Sequence, residues 1–201
     1  MRFLKNFFPS DKLQKDLRVK LSRFILKPNK LEVKNLLESN KFIMNSYSDS
    51  FNLNSILINS VNCLSDFHGS NEQIELIDYL IDQGSDVDWL SDDGYNSLHI
   101  ALSYHSLSKI SLLLIREGNP DVNIVEEKNG NSPIFIAVRE YTLAWGEEQK
   151  EINQLRFEII KELLNCGADL DIKNKHGISA KKWLERIPEN DKLHKLIKES
   201  D

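Results

Sequence analysis

Little in this chain is suited to metal, disulfide or phosphate chemistry. It has 2 cysteines in 201 residues, Cys63 and Cys166, and they lie too far apart to form a Cys-x-x-Cys ligand pair. Both fall in apolar helical patterns and are expected to be buried free thiols in a reducing compartment. The 5 histidines, His68, His99, His105, His176 and His194, contain no His-x-x-x-His pair. No Gly-x-x-x-x-Gly-Lys loop and no Gly-x-Ser-x-Gly elbow occurs, so neither a nucleotide cradle nor an acyl-transfer nucleophile is indicated. The acid pairs Asp92-Asp93, Glu126-Glu127 and Glu147-Glu148 fall at predicted turn tips or in an exposed insertion. Solvated carboxylates are expected there, because acid–base catalysis needs an apolar pocket or a close partner to split two pKa values. No enzymatic activity and no cofactor are expected.

Glycine and proline are also sparse, at 8 and 5 residues, too few for a fibrous or disordered chain. Apolar runs are short: no window approaches the roughly 18 residues of a membrane span. The opening Met1-Arg2-Phe3-Leu4-Lys5-Asn6-Phe7-Phe8-Pro9 is interrupted by Lys5 and Asn6 and stopped by Pro9, short of the roughly 7–15 residues of a signal-peptide core. A soluble, cytoplasmic monomer is the expectation. The net charge of −5 conceals an asymmetry. Residues 1–34 hold 10 Lys+Arg against 3 Asp+Glu, residues 71–171 hold 7 against 20, and residues 172–201 hold 8 against 5. An acidic body between basic ends argues against nucleic acid on that body and for a basic partner.

What the chain does have is a repeat. Gly94-Tyr95-Asn96-Ser97-Leu98-His99-Ile100-Ala101-Leu102 opens on a turn glycine and enters a short apolar helix. Ile110 to Gly118 then gives a second apolar helix, and Asp121-Val122-Asn123 a turn. The same order recurs in Asn129-Gly130-Asn131-Ser132-Pro133-Ile134-Phe135-Ile136-Ala137 with Ile159 to Asp171, and in part in Leu76 to Asp88. Gly94 and Gly130 are 36 residues apart. This pattern resembles the ankyrin repeat, whose period is about 33 residues. The resemblance implies an all-α ankyrin-repeat solenoid of helix-turn-helix units joined by short β-turn or hairpin connections and closed by helical caps. One continuous domain is expected: residues 1–50 as an N-terminal helical cap, 51–173 as repeats, and 174–201 as a C-terminal capping repeat. The leucines between residues 13 and 25 have core spacing, and the lysines beside them suit the polar outer face of a terminal unit. Asn59 is read in the place of Ala101 and Ala137. From Ala137 to Ile159 is 22 residues where Ala101 to Ile110 is 9, which places an insertion within 139–158. Gly84 is expected to cap its helix in the left-handed conformation.

The resemblance also implies a function. Ankyrin arrays are binding scaffolds that dock protein partners on hairpin tips and on the first helix of each unit. His99 sits where the family carries its structural histidine. Carried onto this chain, the tip positions are Asp92, Asp93 and Tyr95, then Lys128, Asn129 and Asn131, then Lys175, His176 and Ile178. The groove-facing helix ends are Ser103, Tyr104, Arg139 and Glu140. Trp89, Tyr95, Tyr104, Tyr141 and Trp145 are candidate anchors, since aromatics dominate interface hot spots. Glu147 and Glu148 extend the acidic insertion. The expected activity is a non-enzymatic interaction module with an acidic concave face. More specifically, an immunity or antitoxin protein that neutralises a basic toxin domain is expected, with an effector or adaptor that captures a host or cellular protein as the alternative. A membrane-surface role for the basic residues of 1–34 is a weaker alternative.

Overall fold

The computed structural model describes residues 11–41, 52–143 and 149–200. Among them are ten α-helices, one 3-10 turn at His105–Leu107, and no strand. The chain divides into two compact units, Met1–Asp86 and Val87–Asp201.

In the first unit, α1 (Asp11–Leu26) and α2 (Lys30–Ser39) form one antiparallel pair, and α3 (Leu53–Val61) and α4 (Asn71–Asp82) the next. Leu17, Leu21 and Ile25 of α1 are buried, as their spacing predicts. Polar N-caps start the other helices: Asn29 for α2, Asn52 for α3 and Ser70 for α4, each accepting a bond from an N3 amide. The Asn52 cap corrects the repeat register. It occupies the position of Asn96, the cap of the next unit's first helix, so Leu57 takes the place of Ala101. Asn59 lies two residues further on, exposed, with its amide nitrogen on the Ser55 carbonyl at 2.6 Å. Gly84 closes α4 at φ +87°.

The second unit holds α5 (Ser97–Leu102), α6 (Ser108–Glu117), α7 (Pro133–Leu143), α8 (Lys150–Asn165), α9 (Ala180–Leu184) and α10 (Lys192–Ser200). The first helices pack in a row, α5 on α7 and α7 on α9, and the second helices pack as α6 on α8. Leu98, Leu102, Ile110, Leu114, Ile134, Ile159 and Leu163 fill the space between and are fully buried. Deleting one such leucine typically costs about 2–5 kcal/mol. The insertion is largely helical: α7 is five residues longer than α5, and α8 six longer than α6. Residues 144–148 are outside the described set, and with them Trp145, Glu147 and Glu148. The last pair closes the array with Leu184, Ile187, Leu193 and Ile197 inward and Lys181, Lys182, Lys195 and Lys198 outward. One thiol departs from expectation: Cys63 is buried, but Cys166 is exposed, because it caps the end of α8 instead of facing its core stripe.

Candidate protein-binding edge

Two ladders of hydrogen bonds run through the connections that lead from one helix pair to the next in the second unit. One ladder holds three tips, Ser91–Tyr95, Glu126–Asn131 and Asn174–Ile178. Each is closed by a backbone bond between its end residues: Ser91 N to Tyr95 O at 2.9 Å, Glu126 N to Asn131 O at 3.1 Å, Asn174 N to Ile178 O at 3.0 Å. The tips are stitched to one another as well. The Glu127 amide donates to the Gly94 carbonyl at 3.0 Å, and the Lys175 amide to the Asn129 carbonyl at 2.8 Å. Earlier in the same connections, Asp and Asn side chains do the stitching. The Asp121 amide donates to the Asp88 carboxylate at 2.8 Å, and the Asp169 amide to the Asn123 side chain at 2.8 Å.

His99 ties a first helix to the next tip. Its Nδ1 accepts from the Asn96 amide at 3.4 Å, which leaves the proton on Nε2, and that nitrogen faces the Ile124 carbonyl at 3.0 Å. The ring is fully buried. Burial lowers its pKa, and the Ile124 carbonyl and Glu126 only partly oppose this. The folded state therefore prefers neutral His99, while the unfolded chain takes up a proton near pH 6.5. Stability is complete above that pH and falls as pH drops through it, by up to about 1.4 kcal/mol per unit for one proton. His68, also lowered by burial, acts with the same sign. Urea unfolding from pH 8 to 5.5 should show this loss, and His99→Gln should shallow the slope while lowering stability throughout.

Glu126 corrects the expectation of a solvated acid. It is 1% exposed. Burial would raise its pKa, but bonds from the amides of Asn129, Asn131 and Lys128 outweigh it and hold the carboxyl low. Glu127, its neighbour, is exposed.

The candidate contact residues separate accordingly. Asp92, Asp93 and Lys128 are exposed on the tips, Tyr104 is exposed at the end of α5, and Trp89, Tyr95 and Asn129 are half-buried. Asn131, Glu140 and Tyr141 lie inside. Asn131 bonds Glu126 and Asn174 through its side chain. The Tyr141 hydroxyl donates to Asp191 at 2.8 Å, and burial raises its pKa first, that carboxylate second. Glu140 faces Arg139 at 2.8 Å and His105 at 3.5 Å. Glu140 and Tyr141 are unavailable to a partner because α7 carries them onto its packed side, and Asn131 because its side chain is bonded within and between the tips.

Sequence reasoning missed Arg156, which has no exposed surface. Its Nη1 donates to the Leu102 carbonyl at the end of α5, 2.6 Å away, while Nε and Nη2 have no hydrogen-bond partner. Burial pulls its pKa down to about 10, with Glu140 pushing the other way. A charged residue on a surface helix gives no signal of such burial.

The acidity is also distributed differently from expectation. The tips run from Asp92 and Asp93 through Glu127 and Lys128 to Lys175 and His176, from negative to positive. Most other exposed acids of 71–171 lie on α4, α6 and α8 and at Asp86, Asp121, Asp169 and Asp171. A uniformly acidic concave face is therefore not present among the described residues.

Among those residues, no group of three or more His, Cys, Asp or Glu is placed to hold a metal ion, and no helix is long and apolar enough to cross a membrane. Stacked helix pairs with laddered turn tips define a repeat scaffold. A family model for ankyrin repeats, in three copies, matches residues 67–174, and the chain belongs to that family. It is thus a protein–protein interaction module, of a family whose members are non-enzymatic scaffolds. No curated protein matches the chain.

Proposed function

We propose that the protein is an immunity-type inhibitor that neutralises a cognate toxin by gripping it through the hairpin tips of the second unit. The observation that carries this reading is the first tip. Asp92 and Asp93 stand exposed on a turn that the Gly94–Glu127 backbone bond fixes in place, with Trp89 and Tyr95 half-buried beside them. Rigid acids flanked by aromatics suit a basic, partly apolar patch, and little entropy is lost in ordering them. The change of sign toward Lys175 orients the partner along the row, since complementary charge sets register and association rate. The acid excess of residues 71–171 favours a basic partner overall. Asp92, Asp93, Tyr95, Trp89, Tyr104, Lys128 and Asn129 form the proposed contact set.

The test is co-expression with the product of an adjacent reading frame. That product alone should arrest growth, and this chain should restore it. Asp92→Lys with Asp93→Lys, or Tyr95→Ala, should weaken the complex by roughly tenfold or more, whereas Asp121→Lys, outside the tips, should not. A harmless neighbour removes the immunity reading and leaves the adaptor alternative. Full rescue by both tip variants removes the tips as the interface.

A further inference from the structure

The first helix carries a second stripe that its packing does not explain. α1 packs on α2 and α3, and Leu17, Leu21 and Ile25 are its buried side. The outer face of a terminal repeat is expected to be polar. At about 100° per residue, however, Val19 and Leu26 fall within about 40° of the direction opposite that buried stripe. They are 46% and 55% exposed. Arg23 shares their sector, Lys15 and Lys27 flank it about 60° to either side, and Lys20 lies just beyond Lys27. Lys27 follows the last turn, with its amide still bonded to the Arg23 carbonyl at 3.0 Å. All four cations are exposed, and none makes an ion pair with a described residue. Asp16 is the only acid between residues 15 and 27.

Exposed aliphatics framed by unpaired cations run along about 18 Å of helix. An anionic bilayer supplies both complements in one plane: headgroup anions for the cations and, just beneath them, acyl chains for the aliphatics. We propose that the outer face of α1 docks the chain on an anionic membrane surface. Val19 and Leu26 enter the headgroup layer, and Lys15, Lys20, Arg23 and Lys27 face the lipid anions. The sequence before the helix has the same chemistry, with Arg2 and Lys5 among Phe3, Leu4, Phe7 and Phe8. A nucleic acid is the poorer occupant, since its phosphates meet the cations but leave Val19 and Leu26 in contact with a charged backbone. An acidic protein is poorer too, because the outer side of one helix is convex and offers no recess for a partner's side chains, whereas lipids conform to it. This docking uses no tip residue and is tested without the toxin.

The probes are vesicles of phosphatidylcholine alone and of phosphatidylcholine with phosphatidylserine. The full chain should sediment with the phosphatidylserine vesicles only, and less as salt rises. Lys20→Glu with Arg23→Glu and Lys27→Glu should lower the partition coefficient by about a hundredfold or more. Val19→Ser with Leu26→Ser should lower it by about tenfold or more. Lys195→Glu with Lys198→Glu, at the other basic end, should leave it unchanged. Every substituted position is exposed, and circular dichroism confirms that each variant keeps its helices. Absence of phosphatidylserine-dependent sedimentation, binding unaltered in either α1 variant, or an equal loss in the Lys195/Lys198 variant overturns the proposal. Should duplex DNA or polyglutamate bind more tightly than the vesicles, and equally well to the Val19/Leu26 variant, the face belongs to that polyanion and the proposal fails.

Discussion

Glu140→Ala should destabilise the second unit by about 3–5 kcal/mol, because it removes a buried carboxylate that pairs with Arg139 and whose charge also favours the buried Arg156 guanidinium. Arg156 has no exposed surface and a single hydrogen bond, to the Leu102 carbonyl. Its guanidinium stays charged at neutral pH, since burial lowers its pKa only to about 10. Glu140 is the carboxylate that favours that charge, and it also faces Arg139 and His105. Arg156→Met should cost less, about 1–2 kcal/mol, because it removes the charge together with the need for its partner. Glu140 then still has Arg139. In the double variant Glu140→Ala/Arg156→Met the two costs should be less than additive, since the buried charge is gone. All three tryptophans, Trp89, Trp145 and Trp183, belong to residues 87–201, so denaturant unfolding followed by tryptophan fluorescence reads this unit directly. Equal losses for the single variants, adding in the double, would show that the two side chains do not compensate one another.

Gly94→Ala should have the second-largest effect, about 2–5 kcal/mol, from two sources: left-handed strain of about 1–2 kcal/mol and overpacking of about 1–3 kcal/mol. Gly94 sits at φ +74°. A β-carbon there would lie 2.4 Å from the Glu127 β-carbon, and Glu127 is held at that point by its backbone bond to Gly94. The control is Gly177→Ala. That glycine has nearly the same φ, +73°, but nothing lies within 4 Å of an added β-carbon. It should therefore show the strain alone. The difference between the two variants measures the tip-to-tip contact. If they cost the same, the tips are not closely stacked in solution.

The repeat was legible because it rests on short-range rules. Helical spacing identified the core leucines, and the turn glycines and His99 marked where each unit opens. What escaped the sequence depends on which neighbour arrives in space. Glu126 and Glu127 are adjacent acids, yet one folds inward to collect the amides of its own tip while the other points to solvent. Nothing in two consecutive glutamates distinguishes them. Asn59 was misplaced because the register of α3 is set by its cap, Asn52, and not by the apolar pattern that follows. Glu140 reads as a groove-facing helix end and Tyr141 as an aromatic anchor of the insertion, but α7 runs five residues longer than α5 and turns both inward. Arg156 is buried for a related reason, since it lies on α8, itself six residues longer than α6.

These corrections concentrate the proposed contact on the outermost tip residues, and above all on the first tip. Binding to the cognate partner, measured by titration calorimetry with wild-type protein and with Asp92→Lys/Asp93→Lys, tests that most directly, with Trp fluorescence confirming that the variant is folded. The expected result is a loss of affinity of roughly tenfold or more, together with hydrogen-exchange protection of residues 89–95 in the wild-type complex. Unchanged affinity in a folded variant, with no protection of that tip, would contradict the account.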